Sequence, residues 1–320
     1  MQQEFKTIKT NGLNLRVAIS GEGPLVVLIH GWPESWYSWR HQIKALSEAG
    51  YRVAVPDVRG YGGSDKPEAI EAYSMAEMTN DMAGLISALG ENTAVVIGHD
   101  WGVPIAWNTA LLHPHRVSAV AGLSVPYTGS GPAPFIDIAK QVYKDKFFYQ
   151  LYFQEPGVAE AELEADIPVT LRKIYYWISG EGLLAQPLHS KPADATLLDD
   201  MADPGDMLDW MSLEDLEYYV SQFEASGFRG PLNRYRNSHR DFKLLSPLAG
   251  QKIHQPAAFI AGTLEPVLNF VPGVDLVETM RGNLSDLRFV EMIEGAGHWV
   301  QQERPDQVNK ALLRFLSEVA

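Results

Sequence analysis

The segment Gly98-His99-Asp100-Trp101-Gly102 sets a carboxylate between two glycines. It directly follows an apolar run, Thr93 to Ile97, and precedes a helical pattern from about Val103 to His113. A side chain at the apex of such a strand–turn–helix elbow is presented as a nucleophile, usually serine. Aspartate there changes the chemistry. Serine attacking a saturated carbon would leave an ether, which water does not readily cleave. A carboxylate leaves an ester, whose carbonyl an activated water can attack, returning the free acid. Displacement at saturated carbon is expected, with epoxides and alkyl halides as the substrate classes. G-x-D-x-G alone would also describe a plain turn with a solvated aspartate, but its place after a buried strand favours the nucleophile.

Hydrolysing that ester needs a general base, to be found among nine histidines. His298 follows the last predicted strand, Leu287 to Ile293, in Gly295-Ala296-Gly297-His298-Trp299, and fits the chain order nucleophile, acid, base. His30 and His99 adjoin turns and are expected to orient loops. His113 and His115 close a helix, where the dipole favours them. The acid is expected after the strand Ala257 to Ala261, and Glu265 lies in the next loop. It would hold the His298 tautomer and offset the imidazolium charge. Asp275 is the second candidate, and no carboxylate closes the strand ending at Leu123-Ser124. Two backbone amides could hold an oxyanion: that of Trp101 and, from the turn His30-Gly31-Trp32-Pro33, that of Trp32.

The elements that must position these residues alternate. Glu4 to Lys9 and Leu13 to Ile19 read as a hairpin around Asn11-Gly12. Leu25 to Ile29, Arg52 to Val55, Thr93 to Ile97 and Val117 to Leu123 read as strands, with helices between them. Ser74 and Glu77 have the spacing of a capping box for a helix to Leu89. Continuous apolar strands alternating with helices predict an α/β fold with a mostly parallel sheet covered on both faces. From Pro126 to about Gly250 the pattern turns helical and aromatic, then the alternation resumes and ends in a helix from Pro305 to Val319. The expected organisation is a core of residues 1–126 and 250–320 with a helical lid, 127–249, inserted after the fourth long parallel strand.

Composition narrows the function further. The chain has 320 residues, 46% hydrophobic and 21% charged, ordinary for a folded protein able to hide a pocket. A net charge of −14 argues against nucleic acid or an anionic membrane as a partner. With no cysteine there can be no thiolate metal site or disulfide. No apolar run is long enough to span a bilayer, and the N-terminus lacks a signal core, so a cytoplasmic protein, monomer or homodimer, is expected.

Together these residues resemble the α/β-hydrolase-fold epoxide hydrolases, over nearly the whole chain. His30-Gly31-Trp32-Pro33 is similar to that family's HGxP oxyanion motif, in which the peptide before proline is usually cis. Asp57-Val58-Arg59-Gly60-Tyr61-Gly62-Gly63-Ser64 resembles the loop that follows it, and Gly98-His99-Asp100-Trp101-Gly102 the nucleophile motif. Tyr149-Gln150-Leu151-Tyr152-Phe153-Gln154-Glu155-Pro156-Gly157 resembles the first lid-tyrosine motif, and Asn233-Arg234-Tyr235-Arg236-Asn237 the second. The resemblance implies that Tyr149 and Tyr235 hydrogen-bond the epoxide oxygen, with Tyr152 a rival for Tyr149. It implies a small apolar epoxide as substrate and no metal or organic cofactor. Glu265 departs from the Asp that relatives mostly carry. The nearest alternative is a dehalogenase, which shares the Asp, His and acid. Haloacid-type relatives place Arg after the nucleophile, where this chain has Trp101. Haloalkane-type relatives place Asn where it has Trp32. A ligand-binding protein on the same scaffold would have no reason to keep Asp100, Glu265 and His298 in order.

Overall fold

In β3 (Leu25–Ile29), Leu25, Val27 and Ile29 pack on one face of a sheet, Val26 and Leu28 on the other, and all five are buried. A strand covered on both faces has to be apolar throughout, as this one is. The computed structural model describes residues 3–205 and 208–319. Around β3 it sets β1 (Glu4–Thr10), β2 (Leu13–Ser20), β4 (Arg52–Pro56), β5 (Ala94–His99), β6 (Val117–Leu123), β7 (Ile253–Gly262) and β8 (Leu284–Ile293). Their order across the sheet is β1-β2-β4-β3-β5-β6-β7-β8. β1 pairs with β2, and β2 with β4, antiparallel; every other pairing is parallel. Helices Met75–Ala88 and Gly102–Leu112 cover one face, and Arg40–Glu48 and Pro305–Val319 the other.

β7 starts at Ile253, four residues before the expected Ala257. Pro256 hid this. Only from Ala257 onward does β7 pair with β6, so the earlier stretch pairs with β8 alone, where a missing N–H is tolerated. β8 likewise starts at Leu284 rather than Leu287.

The named elements between β6 and β7 are all helical, from Phe135–Val142 to the short turn Ser246–Leu248. This inserted chain shares one apolar cluster with the sheet: Phe153, Tyr175 and Phe223 join Val27, Ile29 and Trp32. Polar ties add register. The expected capping box at Ser74 and Glu77 does not form. Ser74 is the N-cap residue, but its hydroxyl makes no capping bond. Asp241 of the insertion instead accepts the Met75 N–H at 2.7 Å, and Glu77 turns to the Asn11 side chain. At the far end, buried Glu303 accepts the N–H groups of Gly180, Gly297 and Trp299 at 2.8, 3.0 and 3.0 Å. The His298 N–H donates to the Ile178 carbonyl at 2.8 Å. Among the described residues no helix is long and apolar enough to cross a membrane.

Candidate active site

Asp100 directly follows β5 with φ of +49°, a left-handed conformation that side chains rarely adopt. Its flanking glycines permit the turn. A Cβ on Gly98 would strike the Gly102 carbonyl, and one on Gly102 the Ile29 carbonyl. Asp100 Oδ1 accepts the Trp32 N–H at 2.7 Å, and Oδ2 lies 3.3 Å from His298 Nε2. His298 Nδ1 lies 3.0 Å from each oxygen of Glu265. Residues from three strand ends thus meet in one line. Glu265 is buried, and it also caps the Val267 N–H at 2.9 Å. Asp275 instead accepts the Val277 and Glu278 N–H groups at the start of helix Leu276–Asn283.

The backbone of His298 is held as firmly as its ring. Its carbonyl accepts from His99 Nε2 at 2.7 Å and Ser124 Oγ at 2.8 Å. His99 Nδ1 meets Glu34 Oε2 at 2.8 Å. Glu34 is fully buried and also accepts from Gly31 N–H, Gln301 Nε2 and Gln302 Nε2, each at 3.0 Å. Burial raises its pKa, but His99 and the Gly31 amide outweigh that and hold it below the usual value. Sequence reasoning missed Glu34, whose only signal was an acid inside the turn that follows His30-Gly31.

In the turn that resembles the oxyanion motif, Trp32 donates to Asp100, and Gly31 packs so closely against Asp100 that a Cβ there would strike its side chain. His30 is buried, with Nε2 accepting the Val58 N–H at 3.0 Å and Nδ1 2.9 Å from the Gly31 carbonyl. The Gly31 N–H is taken by Glu34. Pro33 has no N–H, and its carbonyl accepts the Tyr175 hydroxyl at 2.7 Å. These three shape the turn, and the Trp32–Pro33 peptide is cis. Trp101 is the N-cap of helix Gly102–Leu112, and its N–H belongs to the group that a helix start leaves without an intrahelical partner.

Tyr149, on the short helix Tyr149–Tyr152, and Tyr235, in the turn Arg234–Asn237, have ring centroids 5.9 Å apart. With Asp100 and Trp101 both line a cavity of about 490 Å³, whose walls combine apolar groups such as Trp107 and Phe270 with polar ones such as Gln150 and Asn108. Tyr152 turns instead toward Glu162. The Tyr235 ring meets Trp101 edge-on at 5.0 Å and Phe153 at 5.0 Å.

The model of the alpha/beta hydrolase fold family matches residues 24–305. Epoxide hydrolase A of Mycobacterium tuberculosis is 44% identical over 315 residues, 98% of this chain and 97% of its own. An epoxide hydrolase from an endophytic Streptomyces superposes with a TM-score of 0.93 at 43% identity, covering 98% of this chain and 95% of its own. Epoxide hydrolase A from Mycobacterium thermoresistibile gives 0.91 at 45%, covering 99% and 98%. The chain belongs to the α/β-hydrolase-fold epoxide hydrolases.

Electrostatics in this epoxide hydrolase divide the groups into acids and bases. Burial alone would raise the Asp100 pKa, but the His298 hydrogen bond and charge and the Trp32 N–H hold it below the usual carboxylate value. Burial opposes the imidazolium, yet Glu265 and Asp100 on either side hold the His298 pKa well above 6.5. Burial, reinforced by the Asp100 charge, raises Tyr149 and Tyr235 above 10. These directions favour an ionised Asp100 and protonated Tyr149 and Tyr235 at neutral pH. Among the described residues no cluster of three or more His, Asp or Glu side chains stands close enough to hold a metal ion.

Proposed function

We propose that this chain converts apolar epoxides to vicinal diols in two covalent steps. Asp100 Oδ2 attacks a ring carbon and the C–O bond breaks. The departing alkoxide takes a proton from Tyr149 or Tyr235, leaving a hydroxyalkyl ester on Asp100. His298 then takes a proton from water, and the resulting hydroxide adds to the ester carbonyl. The oxyanion forms at Asp100 Oδ1, where the Trp32 N–H already lies and the Trp101 N–H is assigned. Collapse breaks the acyl–oxygen bond. The departing alkoxide takes the proton held by His298 and leaves as the diol, and the acid left on Asp100 returns its proton to the tyrosinate, restoring the starting enzyme. The observation that carries this reading is the shared cavity: Asp100, backed by His298 and Glu265, opens onto the same space as two protonated tyrosines. In this assignment 1–126 and 250–320 carry the triad and 127–249 the tyrosines. A cysteine-free, acidic chain of this kind is assigned to the cytoplasm.

The source of oxygen tests the mechanism. In one turnover in heavy-oxygen water, with enzyme in excess, the diol should carry unlabelled oxygen and the label should enter the Asp100 carboxylate. Label in the first-turnover diol would refute the ester. A panel of epoxides and haloalkanes should yield diol and no halide.

The two steps should also part with pH. Ring opening needs ionised Asp100, whose pKa lies below the ordinary range, so single-turnover ester formation should persist into mild acid. Ester hydrolysis needs neutral His298. Once Asp100 is esterified, one of the two carboxylates favouring the imidazolium is gone, yet Glu265 remains, so hydrolysis should fade first as pH falls. Rapid acid quench and mass analysis across pH would show ester accumulating on the acid side. A shared acid limb would contradict the split.

A further inference from the structure

Tyr149 does not meet the cavity alone. Gln150 Nε2 donates to its hydroxyl oxygen at 2.9 Å. Gln150 lines the same cavity, beside Asp100, Tyr149 and Tyr235. Its backbone is fixed as well. Gln154, one helical turn on, donates from Nε2 to the Gln150 carbonyl at 2.7 Å and to the Tyr235 carbonyl at 3.1 Å. One amide thereby clamps the two segments that carry the tyrosines, and the other sits on a tyrosine hydroxyl.

A phenol oxygen has one proton to give and two lone pairs to offer. A donor already occupying one lone pair leaves the proton to point elsewhere, and here the remaining space is the cavity above Asp100. The same N–H stabilises negative charge as it grows on the phenol oxygen during proton transfer to the alkoxide. We propose that Gln150 is a positioning residue for ring opening, aiming the Tyr149 proton into the cavity and strengthening Tyr149 as the acid. The proposal rests on the two-step reading above and adds to it a group that does not touch the epoxide. The shift imposed on Tyr149 by the Gln150 bond is downward, against the larger effect of burial. Tyr235 has a counterpart of its own, the Trp101 side chain, whose hydrogen bond likewise acts downward against burial.

The test isolates the first chemical step. In a His298→Gln background the reaction stops at the ester, so the appearance of ester mass reports ring opening alone. Gln150→Met keeps the length and packing of the side chain and removes the N–H. It should slow ester formation roughly tenfold, the size of one hydrogen bond to a developing charge. Gln150→Glu should slow it more, because a carboxylate accepts the phenol proton and withdraws it from the epoxide. With native His298, ester hydrolysis in Gln150→Met should keep its rate. In a Tyr149→Phe background Gln150→Met should have no further effect, since the group it acts through is gone. A side chain that merely packs would leave Gln150→Met at the parent rate, and that result overturns the proposal. Faster opening would overturn it too, because the amide oxygen would then be holding the phenol proton. So would a Gln150→Met effect that persists without Tyr149. If Tyr149→Phe alone leaves ring opening undiminished, the tyrosine assignment itself falls and this role with it. A slow Tyr149→Phe beside a fast Gln150→Met removes this role only.

Discussion

His298→Gln opens one epoxide and then stops. Ester formation uses Asp100 and a protonated tyrosine, neither of which His298 has to supply. Ester hydrolysis relies on the base set against Asp100, whose Oδ2 lies 3.3 Å from His298 Nε2. Loss of a general base costs on the order of 10²–10⁴-fold in rate, so turnover falls by that factor while the ester persists. Intact mass spectrometry after mixing should show one added substrate mass, localised to the peptide containing Asp100. Glu265→Gln should show a milder form of the same accumulation. The imidazole remains, but its Nδ1 loses the carboxylate that lies 3.0 Å away and favours the charged ring. Normal turnover in His298→Gln, or a stall with no adduct, would break the triad assignment.

Tyr149→Phe combined with Tyr235→Phe abolishes ring opening before any ester forms. An alkoxide is too basic to leave without a proton donor, and the two phenols are the acidic O–H groups assigned to that space. Removing one donor from a developing oxyanion costs about 10²–10³-fold. Each single variant should slow ester formation within that range. The double variant should fall to the limit of detection, with no adduct even in the His298→Gln background. This outcome differs in kind from the His298 stall. One leaves a loaded enzyme and the other an empty one, and a single mass spectrum tells them apart. A silent Tyr149→Phe beside a slow Tyr152→Phe would reverse the lid assignment, against the turning of Tyr152 toward Glu162.

The strands and the triad were legible because each leaves a local mark. Continuous apolar runs such as Leu25 to Ile29 signal two covered faces, and Gly98-His99-Asp100-Trp101-Gly102 carries its own turn chemistry. His298 and Glu265 follow strands that could be counted. Tyr149 and Tyr235 could not be chosen by periodicity, because a lid rich in aromatics offers many equivalent rings, and only the resemblance separated them. Glu34, Gln150 and Glu303 left no usable mark. The two glutamates take N–H groups, most of them brought close only by the fold, as when Gln301 and Gln302 meet Glu34, and Gln150 donates to the hydroxyl oxygen of its neighbour Tyr149. Ser74 and Glu77 show the converse. Their spacing was right for a local cap, but Asp241, far away in sequence, took the Met75 N–H.

Glu303 has a consequence for how this enzyme could be rebuilt. One carboxylate gathers the Gly180 amide of the inserted chain together with the Gly297 and Trp299 amides that bracket His298. Ile178 of the same insertion accepts the His298 N–H. The insertion is therefore not an interchangeable module set over a finished catalyst. Grafting a foreign lid to change substrate preference would cut the mooring of the hydrolytic base, unless the graft spares residues 178–180. A chimera that keeps residues 178–180 can exchange the rest of its pocket and keep its turnover. One that replaces them would inherit a new specificity and lose the second half of the reaction.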